Sequence, residues 1–413
     1  MKTIKTIRSL TLVVAMLGAS SLQAQTPDQL AQQVLAKNPV IDGHNDAPEQ
    51  IAERFDSDLS QFDFRDTQST TGHGTRPMHT DIARLREGRV GGQFWSVWID
   101  PELPEYEAVQ RVIEQIDIVH RLVAQYPGDL QLALTVADIH AAQKKGRVAS
   151  LIGMEGGHSI GNSLAVLRQT YALGARYMTL THWKTLDWAD SATDAPKSDG
   201  LSEFGVSVVE EMNRLGMMVD ISHVSEAAMN DALDVTKAPV IFSHSSADGV
   251  TKHPRNVPDA VLKRLPANGG LVMVTFVPSY VNAENRDWAA AEKAEEARAA
   301  ALYPGDAAVR TAHLANWNDA NPMPPVTAKD IADHIDHIRD VAGIDHIGLG
   351  GDYDGIPFTP DDLSDVSTYP ALFAELARRG YSAADLAKIA RGNILRVMRE
   401  TESTAAAMAK SKK

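Results

Sequence analysis

Cysteine is absent from the 413-residue chain. That absence removes disulfides, thiolate metal sites and a cysteine nucleophile together, so any metal ion must be held by histidine and carboxylate groups. Basic charge is scarce: 40 Lys and Arg stand against 54 Asp and Glu, a formal net charge of −14. This balance argues against nucleic acid, whose phosphates need a basic stripe, and against docking on anionic membranes. No G-x-G-x-x-G fingerprint follows the first apolar run, which leaves a dinucleotide site unsupported. The apolar stretch Leu10 to Leu17 is too short to span a bilayer.

That stretch has another reading. Lys2, Lys5 and Arg8 precede it, and small and polar residues follow as far as Ala24-Gln25. A basic start, a short apolar middle and a small-residue end make residues 1–24 a secretory signal peptide, although Leu22 is bulky for its place before the cut. The expected protein is secreted, and periplasmic if the source is a Gram-negative bacterium. No cysteine follows the cut, so a lipid anchor there is excluded. Residues 401–413 are polar and basic and read as a flexible tail.

Between these ends, eight apolar runs alternate with helical patterns. The runs are Pro39–Gly43, Gly92–Trp98, Ala149–Met154, Arg176–Thr181, Met217–Ser222, Pro239–Ser243, Gly270–Phe276 and His346–Gly351. Continuous apolar strands belong to a parallel sheet covered on both faces. Amphipathic segments separate them, such as Glu105–Gln125 and Thr327–Val341, whose stripe is Ile331, Ile335 and Ile338. Eight strand–helix units predict one α/β domain over residues 25–400, a (β/α)₈ barrel, with an open doubly wound sheet as the alternative. A long loop over Phe55–His79 and a helical insertion over about 280–325, before the last strand, are expected over the C-terminal mouth.

Polar residues collect where the runs end. His44 and Asp46 close the first, two apart and so on one side of an extended chain. Glu155 closes the third, before a glycine pair. His182, His223 and His244 close three consecutive runs, and Asp352 follows the last. A lone histidine in such a place is most often structural; three in succession, beside His44 and three carboxylates, point to metal. His and carboxylate without Cys suit catalytic zinc, with manganese or cobalt as substitutes. Seven donors exceed one ion, and two ions sharing a carboxylate fit better. His73, His79, His158, His253, His313, His334, His337 and His346 read as loop, helix-face or strand-start residues, with His334 and His337 on a solvated face.

The ordered motifs Ile41-Asp-Gly-His-Asn-Asp46, Gly91-Gly-Gln-Phe-Trp-Ser96, Glu155-Gly-Gly-His158, Thr179-Leu-Thr-His182, Asp220-Ile-Ser-His-Val-Ser225, Phe242-Ser-His-Ser-Ser246, Arg255-Asn-Val-Pro-Asp259 and Gly350-Gly-Asp-Tyr-Asp-Gly355 resemble those of the membrane dipeptidase (renal dipeptidase) family, peptidase family M19, of the amidohydrolase superfamily. The resemblance runs from about Val40 to Met398. It implies a zinc-dependent dipeptidase with two Zn²⁺ per chain. His44 and Asp46 would bind one zinc, His223 and His244 the other, and Glu155 would bridge them. His182 would steady the substrate carbonyl oxygen, and Asp352 would shuttle a proton from the attacking water to the leaving amine. Arg255 would pair with the substrate carboxylate, with Tyr280 assisting. The family cleaves dipeptides, often with a C-terminal D-residue, and some members open β-lactams; a homodimer is implied as well. Mammalian members are lipid-anchored and disulfide-linked, whereas this chain lacks cysteine and an anchor signal. The alternatives are another amidohydrolase acting on N-acyl amino acids or lactams, or an inactive ligand-binding barrel.

Overall fold

The computed structural model describes residues 25–411 apart from Thr70 and Thr75. The expected signal peptide lies outside the described residues. Among the described residues, nine strands form one all-parallel sheet: β1 (Val40–Asn45), β2 (Val90–Trp98), β3 (Leu130–Leu132), β4 (Val148–Glu155), β5 (Ala175–Thr179), β6 (Met218–Asp220), β7 (Ile241–Ser245), β8 (Leu271–Val274) and β9 (Ile347–Leu349). β2 pairs with both β1 and β4, and β9 with β1 and β8, so eight strands close into a barrel. The (β/α)₈ expectation is met, with each of the eight apolar runs supplying one barrel strand.

The ninth strand, β3, escaped the sequence reading. It pairs with residues 148–150 of β4. Those residues also pair with β2 from Ala149 onward, so β3 occupies the edge that β5 takes over from Ile152.

Period-two alternation sorts the strand side chains. Ile41, Phe94, Leu151, Tyr177, Ile241 and Met273 fill the interior, while Val40, Trp95, Ile152, Phe242 and Val272 pack under the helices. The interior cluster continues into Ile394, Leu395, Val397 and Met398 of the last helix, Asn393–Ser411, which plugs the end of the barrel where the strands begin. That helix corrects the expected tail: it runs on through Thr401, which is buried, and Glu402 accepts the Val136 N–H at 2.9 Å.

Helix ends follow their caps. Ser202, Ser225 and Thr327 each accept a backbone N–H from the first turn of the helix they open. The insertion before β9 is helical as expected, with Ala283–Leu302 and Ala307–Ala320 its long members. The Phe55–His79 segment reaches the mouth: the His79 N–H donates to Asp354, and Arg76 donates to the Ile356 carbonyl at 2.9 Å.

Candidate active site

Alternation also aims the donors. On β4, Ala149, Leu151, Gly153 and Glu155 share the inner face. Gly153 must be glycine because a Cβ there would lie 2.0 Å from the Tyr177 ring. With that ring seated, Glu155 stands at the centre of the mouth. His44 and His244 lie inside β1 and β7; His182, His223 and Asp352 each follow their strand by three residues. His223 and Asp352 adopt left-handed backbone, φ 64° and 62°, which turns their side chains back over the barrel. Histidine and aspartate tolerate that region better than most residues, at a cost that site residues commonly carry.

All seven donors named from the sequence meet. Glu155 Oε2 lies 3.3 Å from His44 Nε2. Its other oxygen lies 3.1 Å from His223 Nε2, 3.2 Å from His244 Nε2 and 3.5 Å from His182 Nε2. His44 Nε2 is 3.4 Å from Asp46 and 4.0 Å from Asp352. Three overlapping trios have donor atoms within 4.8 Å of one another: His44–Glu155–His244, Glu155–His182–His223 and His44–Asp46–Asp352. The carboxylate of Glu155 thus faces separate nitrogen sets with its two oxygens. The trios do not partition the donors: His182 and Asp352 belong to them too, although at 3.5 and 4.0 Å they stand slightly farther out than the residues expected to bind metal.

The residues fit a metal. His44 Nε2 and Asp46 Oδ1 are buried without hydrogen-bond partners, a state that costs free energy unless a cation fills it. The outer nitrogens are already committed. Tyr177 O–H donates to the Gly43 carbonyl at 3.0 Å, so its oxygen accepts the Nδ1–H of His44, also at 3.0 Å. Ser243 O–H donates to Asp220 at 2.6 Å and accepts His244 Nδ1–H at 2.9 Å. Both arrangements leave Nε2 bare and pointed at the cluster. Burial, then Arg255 among other cationic neighbours, holds His223 well below the ordinary imidazole range; burial and the neighbouring His44 do the same for His244. Neutral imidazole is the form that binds metal.

Asp352 is pushed up to about 8, first by burial, then by Asp46 and Glu155, against the opposing pull of His44 and Arg255. A carboxyl titrating near neutrality suits proton transfer.

Two aspartates that the motifs contained carry the scaffold. Asp42 accepts the His44 N–H, Gln93 Nε2–H and Gly351 N–H, each at 2.8 Å, and the Tyr369 hydroxyl. It ties the strand bearing His44 to the turn bearing Asp352. Asp220 accepts from Thr179, Ser222 and Ser243 and so locks β5, β6 and β7 in step. Their role was not legible because their partners come from other strands.

The cluster floors a cavity of about 470 Å³. Arg255 and Tyr280 line it, as expected, with the Arg255 guanidinium 5.5 Å from the Tyr280 ring centre. Arg255 is only 2 % exposed. It gives one N–H to the His244 carbonyl at 3.0 Å and one to Ser245 Oγ at 3.3 Å, while Nε–H has no partner. Trp98 and Trp183 form an aromatic wall beside His182, with ring centres 5.5 and 4.7 Å from its imidazole.

His253, a loop residue as expected, also lines the cavity, stacked on Tyr280 at 4.2 Å. One histidine needs correction. His334 is not on a solvated face: it is fully buried, accepting the Ala247 N–H at 3.0 Å and meeting the Val281 carbonyl at 3.1 Å. It straps the segment leading to Arg255 to the one bearing Tyr280.

Comparison with known proteins agrees. Dipeptidase verJ from Clonostachys rogersoniana is 40% identical over 389 residues, 92% of this chain and 88% of that protein. The probable dipeptidase PvdM from Pseudomonas aeruginosa superposes with a TM-score of 0.78 at 25% identity, covering 92% of this chain and 99% of that one. A Rhodobacter sphaeroides metallopeptidase, solved with a phosphinate mimic of L-Ala-D-Ala, shares the fold with a TM-score of 0.70 at 23% identity, covering 88% and 99%. Residues 28–412 match the family described as membrane dipeptidase, peptidase family M19. The chain belongs to that family and is a metal-dependent hydrolase of the dipeptidase type.

Proposed function

We propose that the cavity hydrolyses dipeptides with a free C-terminal carboxylate, using two zinc ions held by His44, Asp46, Glu155, His223 and His244. The observation that carries this reading is Glu155, whose two oxygens face separate histidines inside a cavity that also holds Arg255. Zinc, when bound, supplies Lewis acidity and an acidified water.

The chain's own residues do the rest. Arg255 has five N–H groups and spends two of them on the protein, leaving a fork for the substrate carboxylate. Tyr280 packs against that fork. His182 holds a proton toward the carbonyl oxygen as charge develops there. Asp352 takes the proton of the attacking water and returns it to the departing amine, so that the C–N bond breaks without expelling an amide anion. Trp98 and Trp183 limit water at the scissile bond. The leader over residues 1–24 places this activity outside the cytoplasm, and the mass of the mature protein, beginning at Gln25, tests that placement.

The test of the reaction is amino-acid release from L,L- and L,D-dipeptides and from their C-terminal amides. Cleavage of the acids and not the amides supports the reading. Equal cleavage of amides removes Arg255 from its role, and activity confined to N-acyl amino acids or lactams replaces the substrate class.

A further inference from the structure

Glu49 stands in the first turn of the helix Ala47–Phe55, three residues past Asp46. It lines the catalytic cavity, and with Trp98 it also lines an adjoining cavity of about 330 Å³. It belongs to none of the donor trios. Burial and then four carboxylates, Asp46, Glu53, Glu155 and Asp352, push its carboxyl well above the ordinary range, with no cation among these influences. Metal binding would neutralise Asp46 and Glu155, two of the charges that oppose its ionisation, and leave Glu49 facing the substrate space, where an ammonium would complete the ion pair.

Its place around the ring is informative. In the closed order β1, β2, β4, β5, β6, β7, β8, β9, strands β2 and β7 are opposite each other. Trp98 ends β2, and Glu49 shares both its cavities; Arg255 follows β7. The mouth is therefore polarised, with a guanidinium on one rim and a carboxylate on the other, and the Glu155 cluster lies between. A dipeptide zwitterion has the same polarity, with a carboxylate at one end and an ammonium at the other. The adjoining cavity extends the negative rim with Glu53, Asp56 and Asp100; its Arg111 is engaged by Glu114 at 3.4 Å.

We propose that Glu49 receives the free α-ammonium of the substrate and makes the enzyme select unblocked dipeptides over N-acyl amino acids. This rests on the dipeptidase reading above and names the residue that enforces it. The opposed charges orient the substrate so that only one direction of the chain lays its amide over the cluster.

The test compares Ala-Ala, in whichever C-terminal hand wild type turns over faster, with propionyl-Ala of the same hand, which differs only by hydrogen in place of the ammonium. Wild type is expected to prefer Ala-Ala in kcat/KM. Glu49→Gln, isosteric and partly exposed, is expected to cut that preference about 10- to 100-fold, chiefly through KM, the usual worth of a hydrogen bond to a charged group. Glu49→Asp is expected to restore part of it. Equal losses on both substrates, or an unchanged preference, overturn the role of Glu49 while leaving the dipeptidase reading intact. Wild-type cleavage of propionyl-Ala without cleavage of Ala-Ala overturns both.

Discussion

Tyr177→Phe removes one oxygen from a fully buried site and tests how the barrel prepares His44 for metal. In wild type that oxygen accepts the His44 Nδ1–H and donates to the Gly43 carbonyl, both at 3.0 Å. With metal on Nε2, the imidazole proton must stay on Nδ1, and in the variant it would lie buried without an acceptor, a cost of about 1–3 kcal/mol. Without metal, burial is outweighed by Tyr177, Glu155 and Asp46, which hold the His44 imidazole well above its ordinary range, so in the variant it can shed the Nδ1 proton and keep the one on Nε2, which faces Glu155 at 3.3 Å and Asp46 at 3.4 Å. The metal-free protein therefore escapes most of the penalty, which appears instead as weakened metal binding. At about 1.4 kcal/mol per factor of ten, the expected loss of zinc affinity is about 10- to 100-fold. Competition with a chelator gives the affinity, and thermal melting of the metal-free form gives the structural cost. Unchanged zinc affinity, or a metal-free protein destabilised as much as the loaded one, would mean that Tyr177 does not prepare His44 for metal.

Asp352→Asn is expected to retain zinc and lose roughly 10²- to 10⁴-fold in kcat, the range for a lost acid–base group; wild-type turnover would remove Asp352 from the reaction. Arg255→Ala is expected to raise KM for dipeptides, and an unchanged KM would mean that the carboxylate is held elsewhere. Acid should weaken the fold through His334, which burial holds at about 4, below the ordinary 6.5. Below pH 6.5 the unfolded chain takes up a proton that the folded chain refuses until about pH 4, so stability is lost as pH falls. From pH 7 to pH 5 the loss is about 2 kcal/mol. Denaturant midpoints of wild type and His334→Gln at both pH values check it; equal pH dependence would be inconsistent with a neutral, buried imidazole.

The barrel was legible because each strand is a local apolar run and each donor sits within three residues of its strand's end. His44, Glu155, His223 and His244 could be named from such positions without knowing how the strands neighbour one another. What held them in place was not legible. Tyr177 reaches His44 across 133 residues of chain, and Asp42 reaches Tyr369 across 327. Such partners follow from closure of the ring, which no local pattern encodes. Leu130–Leu132 is too short to show a period. His334 read as solvated because a polar helix residue usually is, and only the packing of the segments after β7 and β8 buries it. Residues 401–411 are polar at both ends and lie on a helix that is still docked at Thr401 and Glu402, so composition mistook a continuing helix for a tail.

The proposed role of Glu155 is to join two metal ions into one hydrolytic site. The most direct measurement is to strip the protein with chelator, titrate zinc back, and follow bound zinc and dipeptide hydrolysis on the same sample. Saturation is expected at two zinc ions per chain, with hydrolysis requiring both and Glu155→Gln losing the second ion along with activity. Full dipeptidase activity at one ion per chain, or in Glu155→Gln, would contradict it.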